Sequence, residues 1–209
     1  MMIPWAHGHA SRPTGIWRRR GPALNKRIAL VFVPVGIGVN VIGGLLASSL
    51  KLPVFLDTIG TILSAAILGP WWGALTGGLT NIIMALQNPM DMWFAIVNIA
   101  VGLIVGFISV KFGFQKWLVV LIAGLIISVV APIIGTTIAT YVYGGLTGGG
   151  LDIFVGGLMK AGADVFTAAF IPRIGSNLVD KLLSVFVVMF VIMALPKTLK
   201  GYAAGPEEA

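Results

Sequence analysis

The sequence contains no cysteine, and this absence excludes disulfide bonds, thiolate metal sites and cysteine nucleophiles. Histidine is almost as rare, because the only two, His7 and His9, lie close to the N-terminus. The rest of the chain therefore lacks the commonest general bases and nucleophiles. It also lacks the G-x-x-x-x-G-K-[ST] phosphate loop and the H-E-x-x-H zinc motif. The sequence predicts a protein that is not an enzyme and that holds no cofactor or metal.

Charge is scarce as well, since 10% of the residues are charged and 57% are hydrophobic. Long apolar runs separated by short loops predict an all-α integral membrane protein. An ionisable side chain is costly in hydrocarbon, so a charge inside a predicted span is a candidate for function. The charged residues between positions 28 and 196 are Lys51, Asp57, Asp91, Lys111, Lys116, Asp152, Lys160, Asp164, Arg173, Asp180 and Lys181.

The apolar runs predict a bundle of six transmembrane helices. The predicted spans are 28–50, 54–68, 71–86, 92–110, 117–143 and 174–195. A further apolar segment, 151–170, carries Lys160 and Asp164 four residues apart, a spacing that places them on one helical face. We predict that this segment is an outer-side or re-entrant helix that does not cross the membrane. A seventh span with an internal ion pair is the alternative.

The basic residues predict the orientation of the bundle. Six of the fourteen lysines and arginines lie in residues 1–27, which contain no acid. Such a cluster before a first span places the N-terminus in the cytoplasm, and a nucleic-acid-binding arm is the less favoured interpretation. We predict a cytoplasmic tail at 1–27, a membrane domain at 28–196 and a second cytoplasmic tail at 197–209. The expected location is the cell membrane, in contact with lipid and with no nucleic-acid partner.

Polar residues concentrate in the predicted outer half of the bundle, as a binding site for a solute would require. Asp57 lies near the start of the second span, and Asp91 and Asn98 share a face of the fourth. Either aspartate could instead cap a helix. Asp180 and Lys181 point about 100° apart on a helix, so we expect them to take separate partners, in a structural lock or in a ligand site.

The first span carries a ridge of small residues at helical spacing. Such a ridge allows another helix to approach closely, either within the bundle, which is the default, or on a partner protein. We call it the α1 ridge, where α1 is the helix expected in the first predicted span, 28–50. Its residues are Gly36, Asn40, Gly43, Gly44, Ala47 and Ser48.

Three segments resemble the substrate-binding (S) components of energy-coupling factor (ECF) transporters. They are FLDTIGT at 55–61, LGPWWGALTG at 68–77 and the Asp180-Lys181 pair in the last helix. The resemblance covers residues 28–196. It implies a six-span membrane subunit that binds a small water-soluble nutrient from the outside and has no ATPase of its own. It also implies a transmembrane coupling subunit and two cytoplasmic ATPases as partners, with the α1 ridge, in place of the family's usual alanines, as the surface that contacts the coupling subunit.

On this basis we expect the substrate to bind between the outer ends of several helices. Mixed carboxylates, amides and a lysine suit a neutral or zwitterionic heterocycle better than a strongly anionic molecule. The expected substrate-binding residues are Asp57, Asn88, Asp91, Asn98, Tyr143, Lys160, Asp164 and Asn177. Two alternatives remain: a membrane sensor or assembly subunit, and an ion-coupled secondary carrier that uses Asp57 or Asp180.

Overall fold

The computed structural model describes residues 22–196 together with Leu199 and Ala203, and the side chains of 22–27 are left out of the description. This part of the chain is helical and contains no strand, which confirms the predicted all-α class. Most of the two predicted tails lies outside the described residues. The helices are α1 (Pro22–Ser49), α2 (Ile59–Leu68), α3 (Pro70–Met84), α4 (Ala95–Phe112), α5 (Trp117–Tyr143), α6 (Asp152–Lys160) and α7 (Val165–Ala194), with a 3-10 turn at Pro89–Met92.

Helix α2 lies at the centre of the bundle. It packs against α1, α3, α4 and α7, and residues 60–68 are all buried. The predicted span 54–68 is only partly correct, because the helix begins at Ile59. The chain before it is irregular, and both Lys51 (φ 53°) and Leu56 (φ 54°) adopt positive φ. At 1.5 Å per residue, α2 alone is too short to cross a bilayer.

Glycine lets the short helices pack closely. Gly69 adopts a φ of 99° and Pro70 opens α3, a position that suits proline because the first helical amides have no partner within the helix. Helix α3 then packs along α4. Added to Gly102, a Cβ atom would overlap the backbone of Gly73 and Ala74. The predicted turn between the second and third spans is therefore present.

The prediction for 151–170 is wrong in its boundaries. The segment divides into the short helix α6 and the first turns of α7, with Gly162 (φ 95°) between them. Helix α7 therefore begins nine residues before the predicted start at 174 and runs through Pro172. Lys160 ends α6 and Asp164 caps α7, so they do not share one helical face.

Four segments are long and apolar enough to cross a membrane: Ile28–Ser49, Pro89–Phe112, Trp117–Tyr143 and Val165–Ala194. Helices α2 and α3 are shorter, and the prediction of six spans remains a prediction. The loops 50–58 and 144–151, which follow α1 and α5, meet at one end of the bundle, where Lys51 Nζ donates to the Gly148 carbonyl oxygen at 3.1 Å. We call this the cavity end.

Candidate functional site

A cavity of about 190 Å³ lies at the cavity end. It is bounded by the ends of α1 and α3, the starts of α2 and α4, the middle of α5, the first half of α7 and the 147–151 loop. Apolar side chains, including Leu45, Phe55, Phe94 and Leu151, form part of its wall. The polar and charged side chains on the wall are Ser48, Asp57, Thr58, Asn81, Gln87, Asn88, Asp91, Asn98, Thr147, Arg173, Asn177 and Lys181.

A chain of amide side chains forms one side of the cavity. Asn98 Nδ2 donates to Asn81 Oδ1 at 2.7 Å and to the Asp57 carbonyl oxygen at 3.3 Å. Asn81 Nδ2 in turn donates to the Asp91 carbonyl oxygen at 3.0 Å. Asn81 and Asn98 are almost fully buried. These hydrogen bonds fix the start of α2 and the 3-10 turn relative to α3 and α4.

The network continues away from the cavity to α1. Asn40 Nδ2 donates to Thr61 Oγ1 at 2.8 Å and to Thr80 Oγ1 at 3.0 Å. Its Oδ1 accepts from the Gly60 backbone amide at 2.7 Å. Buried amides of this kind are stable only when their polar atoms have partners, and Asn40 has contacts in both α2 and α3.

Lys181 provides a buried positive charge on the opposite wall. Its Nζ lies 2.7 Å from Asp180 Oδ2, 3.1 Å from Thr58 Oγ1 and 3.7 Å from Asp57 Oδ1. The other oxygen of Asp180 accepts from the Leu56 amide at 2.8 Å. The adjacent pair therefore makes direct contact, contrary to the expectation of wholly separate partners, and it also connects α7 to the segment that precedes α2.

Arg173 is the second buried base on the wall. Its guanidinium donates to the carbonyl oxygens of Ala169 (3.1 Å) and Gly145 (3.4 Å) and to Thr147 Oγ1 (3.2 Å). Asp152 accepts from the backbone amides of Thr147, at 3.0 Å to Oδ2, and Gly148, at 2.6 Å to the same atom. Arg173 thus supports the loop between α5 and α6, which covers part of the cavity.

Five of the eight predicted substrate-binding residues line this cavity: Asp57, Asn88, Asp91, Asn98 and Asn177. Their role in binding remains a prediction. Tyr143 stands just behind the wall, where its hydroxyl donates to the Met90 carbonyl oxygen at 3.2 Å. Its ring stacks on Phe94, with the ring centroids 6.3 Å apart.

Lys160 and Asp164 do not line the cavity, and both are exposed. Asp164 Oδ1 instead accepts from the Thr167 amide at 3.0 Å. Hydrogen bonds from the side chain and backbone of Thr167 lower the pKa of the Asp164 carboxyl below its usual value. The structure therefore does not bring these two predicted residues to the cavity that the other five line.

The α1 ridge packs largely within the bundle. Gly36 lies against Gly60 and Ser64, Gly43 against the Leu56 carbonyl and Gly44 against Met84. Two further members, Asn40 and Ala47, are buried, and Ser48 is exposed. The ridge therefore fits the default interpretation of helix packing within the chain, and as an outward partner surface it is not supported.

Sequence reasoning did not assign Thr58, Asn81, Arg173 or Lys181 to the binding site, although all four line the cavity. The rarity of charge in the last span was the available signal for Arg173 and Lys181. No comparable signal distinguishes Thr58 or Asn81 from the many hydroxyl and amide residues in other spans. Among the described residues, no group of three or more His, Cys, Asp or Glu side chains could hold a metal ion.

Comparison with known proteins identifies a family for this chain. A family model described as "ECF transporter, substrate-specific component" matches residues 28–192, which is most of the chain and nearly all of the helical bundle. No curated protein and no solved structure matches the chain.

Proposed function

Because this chain belongs to the substrate-specific components of ECF transporters, we propose that it captures a small water-soluble micronutrient, such as a vitamin, from outside the cell. The observation that carries the proposal is the cavity, on which buried amides and charges from the segment before α2 and from α3, α4 and α7 converge. Buried polar groups gathered around a pocket favour specific ligand recognition. A transmembrane coupling subunit and two cytoplasmic ATPases would then complete an ATP-driven importer.

The proposed orientation puts the cavity end outside and both chain termini in the cytoplasm of a cell-membrane protein. Two lysines at the opposite end of the bundle support it: Lys111 in the last turn of α4 and Lys116, the residue before α5. Lysine-rich short loops favour the cytoplasmic side. A solute would then reach the cavity directly from the external medium.

Contact with the coupling subunit through α1 would use a different face from the α1 ridge. Val31, Val35, Val39, Ile42 and Leu46 are exposed along α1. Their spacing of three to four residues places them on one outward stripe. We propose this stripe, which lipid can also cover, as the candidate contact surface on the helix.

Native mass spectrometry of the full chain, purified in mild detergent, tests the capture function. We expect the purified protein to retain a small molecule that is released on unfolding. The same molecule should bind again to protein from which it has been removed. A scaffold or sensor subunit that only binds other helices would retain none. A secondary carrier would take up its solute in vesicles without the ATPases, driven by an ion gradient alone, and that result would contradict the proposal.

Two alanine variants test the location of the site. Asn98→Ala removes the hydrogen bonds to Asn81 and to the Asp57 carbonyl, and we expect the affinity for the retained molecule to fall roughly tenfold or more. Asp164→Ala removes an exposed cap outside the cavity and should leave the affinity unchanged. Isothermal titration measures both, and an unchanged affinity in Asn98→Ala would contradict the proposed site.

A further inference from the structure

The charged groups of the cavity differ in how far their charge is already compensated. Two acids, Asp57 and Asp91, and two bases, Arg173 and Lys181, line the wall. If all four were equally free, a zwitterion would suit the site best. Each base is balanced by an acid outside the cavity, whereas Asp57 shares Lys181 with Asp180 and Asp91 has only an amide contact, from Asn88.

Lys181 is neutralised from behind the wall. Its shortest contact, 2.7 Å, is to Asp180 Oδ2. Asp180 is fully buried and is not part of the cavity lining. Its carboxylate therefore compensates the lysine without presenting a charge to a ligand, and only the longer 3.7 Å separation remains between Lys181 Nζ and Asp57 Oδ1.

The positive charge of Arg173 is also compensated by groups other than a ligand. Its guanidinium already donates to two carbonyl oxygens and to the Thr147 hydroxyl. The carboxylate of Asp152, which holds the Thr147 and Gly148 amides, also attracts it electrostatically. Asp152 does not line the cavity, so the charge of Arg173, like that of Lys181, is balanced from outside the cavity.

The two cavity acids, in contrast, retain unused acceptor capacity. Asp57 Oδ1 accepts no hydrogen bond, and its 3.7 Å ion pair is with a lysine that Asp180 already holds at 2.7 Å. Asp91 Oδ1 has a long 3.4 Å contact from Asn88 Nδ2. A carboxylate that is only partly compensated in a largely apolar cavity is costly, and a ligand that brings positive charge and N–H donors reduces that cost.

Building on the proposed function, we propose that the substrate is a small organic cation whose positive group is bound by Asp57 and Asp91. A metal ion fits less well, because the described residues offer no cluster of three suitable ligands. The apolar wall, with Phe55 and Phe94, suits the body of an organic molecule, and aromatic faces also attract cations. The sequence alone favours a neutral or zwitterionic molecule, so this proposal differs from the sequence-based expectation.

Three small probes of similar shape and different charge test the inference: benzamidinium, benzamide and benzoate. Thermal unfolding of the full chain at pH 7 can be followed through its six tryptophans. A ligand that binds the folded state raises the unfolding midpoint, so we expect the largest rise with benzamidinium and none with benzoate. An equal or larger rise with benzamide or benzoate, or no rise with any probe, overturns the inference.

Variants that replace one aspartate by asparagine test which carboxylates bind the cation. Asp57→Asn and Asp91→Asn should each weaken benzamidinium binding roughly tenfold or more and remove the preference over benzamide. Asp164→Asn, which changes a carboxylate outside the cavity, should keep the preference. Asp91→Asn breaks only one long side-chain contact and decides the question if Asp57→Asn does not fold. A preference that survives in Asp91→Asn contradicts the assignment.

The charge of the natural ligand separates this inference from the proposed function. A retained nutrient that proves neutral or anionic at pH 7 would overturn the cation assignment and leave nutrient capture supported. A chain that retains no nutrient and supports no uptake would overturn the proposed function, whatever the probe series shows.

Discussion

Asp180 and Lys181 illustrate what single residues contribute to this molecule. Adjacent helical positions diverge by about 100°, yet the length of the lysine side chain allows its Nζ to reach back to Asp180 Oδ2. The sequence shows that two charges occur in an apolar span, and this predicts a functional or structural role for both residues. It does not show which groups they contact, because Leu56 and Thr58 come from a segment more than 120 residues away.

Lys181→Met should destabilise the protein strongly, since it leaves the Asp180 carboxylate buried without its positive partner. Removal of one member of a buried ion pair costs about 3–5 kcal/mol. The double variant Asp180→Asn/Lys181→Met should be more stable than Lys181→Met alone. Thermal unfolding in one detergent compares them, with the exposed Lys160→Met as the control. A midpoint for Lys181→Met equal to that of the control would contradict this prediction.

At the scale of helices, the length of the apolar run predicts α5 at 117–143 without error, and the Gly-Pro pair predicts the turn at Gly69-Pro70 correctly. The apolar pattern places the start of α7 too late, at 174, because Pro172 and Arg173 together suggest a helix boundary. In the structure the helix continues, and the Arg173 guanidinium donates to the Ala169 carbonyl one turn earlier. It also fails at 54–58, where the segment adopts an irregular path fixed by contacts with α7 that a local pattern does not contain.

The space around each glycine predicts opposite effects for two glycine substitutions, one in the close contact of α3 and α4 and one on α1. Gly102→Ala adds a methyl group that overlaps the backbone of Gly73 and Ala74, and overpacking of this kind costs about 1–3 kcal/mol. Gly38→Ala, on α1, meets no atom within 4 Å. It should stabilise its helix by about 0.5–1 kcal/mol. Unfolding midpoints measure both, and equal effects would contradict the packing argument.

The start of α7 predicts a pH-dependent contribution from Asp164. Its carboxylate is an N-cap, and its pKa is lower in the folded state than the usual value of 3.8. The stabilisation is therefore fully present above the unfolded-state pKa and is lost as the pH falls through the folded-state pKa. We expect Asp164→Ala to lower the unfolding midpoint at pH 7 and to have a smaller effect at pH 3. Equal effects at both pH values would exclude a role for the charge.

For the whole molecule, the predicted orientation in the membrane depends on the six bases of residues 1–27 and on two lysines at one end of the bundle, Lys111 in the last turn of α4 and Lys116 before α5. The absence of cysteine makes the orientation directly testable. Ala161→Cys, exposed beside α6 at the cavity end, should react with a membrane-impermeant maleimide in intact cells. Lys111→Cys, exposed at the other end, should react only after permeabilisation. The reverse pattern would contradict an external cavity.

The central position of α2 has a consequence for biosynthesis. A helix of ten residues is too short to remain by itself as a membrane-spanning segment. In the finished protein its neighbours include α7, which is the last of the described helices along the chain. Thr58 and Leu56 likewise find their partners only when Lys181 and Asp180 arrive. A nascent chain that stops before α7 cannot complete the cavity wall. Retention of the ligand by a newly made chain would therefore show that α7 has been synthesised and has packed against α2.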